Sequence, residues 1–163
     1  MDENQKQKQA LIGKAFFYLR FHARSEQEMR KYLQKKAELY GFDNTIVQIV
    51  IQQLIEDKYI NDNEFARSFM QSRSHTNPKG DYAITQELLQ KGISKEIIIS
   101  VLQENDTNEY ARAVSVLKKK QNTLSKLTNE VRLRRALSHL IRRGFSYNIA
   151  KQAYKHCFEN ESE

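Results

Sequence analysis

Tryptophan is absent from the 163 residues, cysteine and proline occur once each, and glycine occurs five times. The single cysteine, Cys157, excludes an intramolecular disulfide and suits a reducing compartment. One proline, Pro78, and so few glycines leave too little turn punctuation for an all-β chain. No two glycines lie close enough to build a Walker-type or GxGxxG phosphate loop. No apolar run approaches the ~20 residues that cross a membrane. Met1 to Gln9 is polar, unlike a signal peptide. Together these absences predict an all-α cytoplasmic protein.

What remains is rich in Leu, Ala, Glu, Gln, Lys and Arg, which favour helix. Its clearest order is a repeat. Leu88-Leu89-Gln90-Lys91-Gly92-Ile93-Ser94 reads as a helix end, a turn and a new helix start. Gly92 suits the left-handed position past the helix end, and Ser94 can cap the next helix. The phrase returns as Leu140-Ile141-Arg142-Arg143-Gly144-Phe145-Ser146, and more loosely as Leu39-Tyr40-Gly41-Phe42-Asp43. The glycines at 41, 92 and 144 are followed in register by Ile46, Ile97 and Ile149, then by Val50, Val101 and Ala153. Three matches in register mark an internal repeat whose small units share one core by stacking.

Taken in order, residues 7–21 carry an apolar helical stripe through Leu11, Ala15, Phe16 and Leu19. Ser25 and Glu28 form a capping box for a helix running to Gly41. Asp43 opens a very apolar third helix. A fourth starts at Asn61-Asp62-Asn63-Glu64, its acids suiting the positive end of the helix dipole. That start echoes Asn108-Glu109-Tyr110-Ala111-Arg112. The segment 121–126 is polar and reads as a loop or frayed turn, and an eighth helix spans about 128–143. These spacings predict nine helices. Residues 1–6 are expected to be disordered, with three-helix repeats over 7–57, 58–105 and 106–158, the last beginning near Thr107, and a frayed end over 159–163.

Charge is concentrated in the third repeat. Between Lys118 and Arg143 stand nine cations against Glu130 alone. That segment carries +8 of a net +7, so the rest sums to about −1. Such a patch points to an acidic partner: nucleic acid, an acidic protein surface or a membrane face. The basic face comprises Lys118, Lys119, Lys120, Lys126, Arg132, Arg135, Arg142 and Arg143, with Arg73 and Lys79 as further members. On the eighth helix, Leu133, Leu137, Leu140 and Ile141 fall on one side, and Arg132, Arg135, His139, Arg142 and Arg143 on the other.

No catalytic constellation is present. His22, His75, His139 and His156 include no pair at the spacing of a helical metal site. Cys157 lies with Ala153 and Tyr154 on an apolar face, where packing outweighs nucleophilic chemistry. The carboxylates at Glu56, Asp57, Asp62 and Glu64 suit helix ends better than general acid–base work. No catalytic residue, metal or cofactor is expected. Most aromatics fit the core, although Tyr147 is a candidate for base stacking.

These phrases, in order, resemble the RecX family of bacterial regulatory proteins. Arg24-Ser25, Glu28-Met29 and Tyr32-Leu33 resemble its first-unit signature. Leu54, Glu56, Tyr59-Ile60-Asn61-Asp62, Phe65-Ala66 and Phe69 resemble its most distinctive segment. Lys79-Gly80, Ile84, Glu87-Leu88, Lys91-Gly92-Ile93 and Arg143-Gly144-Phe145-Ser146 complete the set, which covers about 10–158. Asn61 stands where many members carry a second acid, and Met29 where Leu is usual. The resemblance implies three tandem three-helix repeats in an elongated, curved array. It implies a protein that docks on the filament of the RecA recombinase on DNA. There it restrains ATP hydrolysis, strand exchange and co-proteolysis in repair, recombination and the SOS response. The partners so implied are the RecA filament and single- or double-stranded DNA within it, with no membrane, and the protein is expected to be a monomer. The structural turns and caps fall at Ser25, Gly41, Asp43, Asp62, Gly92, Ser94, Gly144 and Ser146.

Two other readings compete. A helix-turn-helix DNA-binding protein would use the glycine-centred helix pairs, but the helix after Gly92 is too apolar to read base edges. A basic helical scaffold would bind an acidic protein without RecA or nucleic acid.

Overall fold

The computed structural model describes residues 2–104 and 108–159. Among the described residues it is all-helical, with ten helices. These are α1 (Glu3–Leu19), α2 (Glu26–Tyr40), α3 (Asn44–Glu56), α4 (Asp62–His75) and α5 (Asp81–Gln90). There follow α6 (Lys95–Glu104), α7 (Glu109–Lys118), α8 (Gln121–Leu124), α9 (Asn129–Arg142) and α10 (Tyr147–Phe158). Two compact units form, Met1–Ala66 with Leu89–Ile97, and Arg67–Leu88 with Ile98–Glu163.

In the first unit, α1, α2 and α3 enclose Leu11, Ala15, Met29, Leu33, Ala37, Val47, Val50, Ile51 and Leu54. Removing these side chains from water, at roughly 25 cal/mol per Å² of apolar surface, is the main force holding the three helices together. The start of α2 is fixed by polar contacts. The Ser25 hydroxyl accepts from the Glu28 amide at 3.2 Å, and the Glu28 carboxylate accepts from the Ser25 amide at 3.1 Å. The same hydroxyl donates to the Lys91 carbonyl at 2.6 Å, and Lys91 Nζ pairs with Glu28 at 2.7 Å. The turn after α5 is thereby tied to the cap of α2. Gly92 lies in that turn at φ 80°, and a Cβ there would overlap the side chain of Gln27.

In the second unit, α7, α9 and α10 pack around Val114, Leu117, Ala136, Leu140, Ala153, Tyr154 and Cys157. Asn108 caps α7 through the Ala111 amide at 2.7 Å, and Ser146 caps α10 through the Ile149 amide at 3.3 Å. Arg112, only 3% exposed, donates through Nε to the Lys79 carbonyl at 3.1 Å and pairs with Asp81. Gly144, at φ 83°, backs onto Ala83. The Gly80 amide donates to the Arg143 carbonyl at 2.9 Å, and a Cβ on Gly80 would overlap the backbone of Gly144.

Several expectations change. Residues 3–6 are helical, because α1 extends back to Glu3, with an acid in its first turn. The segment 121–126 is not wholly loop, since α8 forms there and buries Leu124. The cap of α4 is Asn61, whose side-chain oxygen accepts from the amides of Asn63 and Glu64. Asp62 serves a different helix: its Oδ1 accepts from the Glu26 amide at the start of α2, at 2.8 Å. On α9, Leu133 and Ile141 are exposed and Ala136 joins Leu140 in the core, so the buried face is rotated from the expected one. Thr107, taken as the start of the third repeat, and residues 160–163 of the expected frayed end lie outside the described residues.

Candidate nucleic-acid interface

The end of α7, the short α8 and the exposed side of α9 form a basic cleft. It holds about 440 Å³ and is lined by Lys120, Thr123, Arg134, Arg135, His139 and Arg142, among others. α9 positions its arginines because Ala136 and Leu140 are buried on the opposite side. α8 closes one wall because Leu124 is drawn into the core. The residues around this cleft include four fixed cations and no carboxylate. Such a concave, single-sign surface concentrates anions, and phosphates above all.

His139 stands between this cleft and a smaller one of about 300 Å³, lined by Thr76, Asn77, Pro78, Lys119, Lys120 and Arg143. Its Nε2 is buried without a hydrogen-bond partner. Burial first, then the charges of Lys120, Arg143 and Arg142, hold the imidazole below its ordinary pKa. It is therefore neutral at pH 7, and the cleft's charge there comes from its lysine and arginines.

The expected basic residues fall into three groups. Lys118, Lys119, Lys120, Lys126, Arg135 and Arg142 are exposed, and Lys120, Arg135 and Arg142 line the main cleft. Arg132 and Arg143 have structural partners. Arg132 donates to the Leu127 carbonyl at 3.2 Å and to Asn129 at 2.9 Å, and its guanidinium carbon lies 5.5 Å from the Phe158 ring centroid. It does not share the exposed strip with Arg135. Arg143 braces the loop before α5, donating to Asn77 and to the Pro78 carbonyl at 3.0 Å each. Arg73 and Lys79 both pair with Glu87, Arg73 at 2.8 Å, so the one carboxylate offsets half of their charge and holds both side chains in place. Burial raises the Glu87 pKa, but the two cations outweigh it and the net shift is downward.

One cleft residue, Arg134, is not placed on the basic face by the sequence, whereas His139, expected on the polar side of the helix, does line the cleft. Arg134 is one residue from Arg135, and its exposure beside α8 was hidden by reading 121–126 as loop. Among the described residues no group of three His, Cys, Asp or Glu side chains is arranged to hold a metal. No helix among them is long and apolar enough to cross a membrane.

The likenesses to known proteins agree in kind. Residues 61–102 match the RecX second three-helix domain, and residues 107–154 match the RecX third three-helix domain. A regulatory protein RecX of Streptococcus pneumoniae strain CGSP14 is 40% identical over 142 residues, covering 86% of this chain and 52% of the relative. One from S. pneumoniae serotype 19F strain G54 is 39% identical over the same length and coverage. The chain thus spans about half the length of these curated relatives. A crystal structure of RecX from Lactobacillus salivarius superposes with a TM-score of 0.80 at 23% identity, covering 94% of this chain and 97% of that one. A second RecX crystal structure gives 0.75 at 22% identity, over 93% and 73%. At those identities the superpositions speak for the fold. The two matched domains and the sequence relatives go further: this chain is a member of the RecX family of regulatory proteins.

Proposed function

We propose that this chain binds the nucleoprotein filament of RecA on DNA and restrains its ATP hydrolysis, strand exchange and co-protease activity. The observation that carries this reading is the pair of RecX three-helix domains matched in sequence order over 61–102 and 107–154. The basic cleft supports it, because a cation-lined concavity attracts the phosphates that DNA carries in a nucleoprotein filament. In this reading the chain is a cytoplasmic monomer that acts by occupancy and performs no reaction of its own. Arg134, Arg135 and Arg142 supply the electrostatic attraction, with Lys118, Lys119, Lys120 and Lys126 extending the charged surface.

The test is affinity for RecA filaments on single-stranded DNA at two salt concentrations, for the parent and for Arg134→Glu/Arg135→Glu/Arg142→Glu. Exposed charges contribute little to stability, so melting should change by less than about 0.5 kcal/mol per site. Binding should weaken, and the slope of log K against log salt should flatten by about 2–3, because three arginines no longer neutralise phosphates. Unchanged affinity and slope would remove the cleft from the interface.

A further inference from the structure

One face of α1 has no part in filament binding through the cleft. Lys6, Gly13, Lys14 and Phe17 follow one another along it at helical spacing, and Arg20 at its C-cap and Phe21 just past its end continue the line. Phe17 and Phe21 are 55% and 61% exposed and meet edge to face with centroids 5.6 Å apart. The guanidinium carbon of Arg20 lies 5.7 Å from one ring centroid and 5.3 Å from the other. Further along, Lys14 Nζ lies 5.2 Å from the ring centroid of Tyr40, which is 48% exposed and stacks on Phe42. Gly13 keeps the surface low beside Lys14, with no atom within 4 Å of where a Cβ would stand.

These rings are not overspill from the core. α1 fills the core with Leu11 and Ala15, and Phe17 lies about 200° around the helix from Ala15. The charge is equally one-sided. Lys6, Lys8, Lys14, Arg20 and Arg24 stand between Asn4 and Ser25 with no acid among them. Exposed rings alternating with cations fit a ligand that alternates flat π faces with negative charge. A single nucleic-acid strand has that order, with unpaired bases for the rings and phosphates for the ammonium and guanidinium groups. A duplex hides its base faces, and an acidic protein helix offers carboxylates without them. From Lys6 to the C-cap at Arg20 the face runs about 21 Å, long enough for several nucleotides.

We propose that this face of α1 is a binding site for single-stranded nucleic acid, with bases stacked on Phe17, Phe21 and Tyr40 and phosphates held by Lys6, Lys14 and Arg20. It lies in the first compact unit and needs neither RecA nor the basic cleft. Its failure would therefore leave the filament reading standing, and the reverse also holds.

The test uses the whole chain without RecA. Fluorescence anisotropy would compare a labelled oligothymidylate, an abasic oligomer of the same length and a duplex, for the parent and for Phe17→Ala/Phe21→Ala. The parent should bind the oligothymidylate about tenfold or more tighter than the abasic oligomer. The double variant should lose that preference, keep the parent's affinity for the abasic oligomer and melt as the parent does. Lys14→Gln/Arg20→Gln should weaken binding to both oligomers. Equal affinity of the parent for both, or a preference that survives in the double variant, overturns the proposal. It is also overturned if the double variant binds both oligomers as the parent does but loses binding to RecA alone. That result would give the face to a protein partner.

Discussion

At the residue scale, a few positions carry constraints that no neighbour relieves. Gly92 and Gly144 adopt φ 80° and 83°, where a β-branched side chain is poorly tolerated. A Cβ at either also meets atoms already in place, Gln27 at the first and Ala83 at the second. Gly92→Val and Gly144→Val should each cost at least about 1–3 kcal/mol in thermal melts. Melting at the parent temperature for both would refute the helix–turn–helix account. Asp62 gives a subtler case. Burial first, then the nearby charges of Glu26 and Glu28, raise its pKa, while the amide it accepts from works against them. Asp62→Asn keeps an acceptor and removes the repulsion, so it should melt at or above the parent temperature at pH 7. Asp62→Ala leaves the Glu26 amide without its acceptor and should cost about 1 kcal/mol. Equal melting of the two variants would show that the contact contributes nothing.

At the scale of elements, what could be read in the sequence was what neighbouring residues decide. The Ser25–Glu28 box, the glycine turns and the Asp43 cap depend on residues a few positions apart, and each is seen in the structure. What depends on distant chain was hidden. Arg132 looked like a member of a charged strip because nothing nearby in sequence announces Phe158 behind it. Arg73 and Lys79 counted as cations until α5 brought Glu87 to both. The same holds for Asp62, whose partner stands 36 residues earlier. Lys58 turns the chain after α3 at φ 60° with no glycine to mark it. The echo of Asn63 in Asn108 was real as sequence but shifted as structure, since Asn108 caps its helix and Asn63 lies inside α4.

Ion pairs that join elements also set the acid limb of stability. Burial raises the Glu28 pKa, but the Lys91 ammonium and the Ser25 amide outweigh it, and the net shift is downward, as it is for Glu87. A carboxylate whose folded pKa is depressed stabilises the fold fully above its unfolded value. That contribution is lost as pH falls through the folded value. Asp62 and Glu109 run the other way, since their raised values make their charged forms a cost that acid relieves. Glu28→Gln and Glu87→Gln should therefore melt below the parent at pH 7, with the difference closing as pH falls below the ordinary carboxylate range and through the lowered folded values. A difference that holds constant or widens on acidification contradicts this assignment.

At the scale of the whole molecule, the chain is a RecX-family protein, all-helical among the described residues, whose charge is gathered on α9 and on the segments either side of α8, from Lys118 to Lys120 and at Lys126. The fold class was legible because helix-favouring residues, scarce turns and a repeated glycine phrase all point the same way. The binding surface was legible only as an excess of charge. Which cations line a cleft depends on where Leu124 and Ala136 are buried, and no count of arginines reveals that. Restraint of RecA on DNA by occupancy of the filament, as proposed above, has a direct kinetic consequence. The most direct measurement is the rate of RecA ATP hydrolysis on single-stranded DNA as the chain is added below stoichiometry. The rate should fall progressively, with a weaker effect from the Arg134, Arg135 and Arg142 reversal. A rate unchanged up to stoichiometric addition, at a salt concentration where filaments are stable, would contradict the proposal.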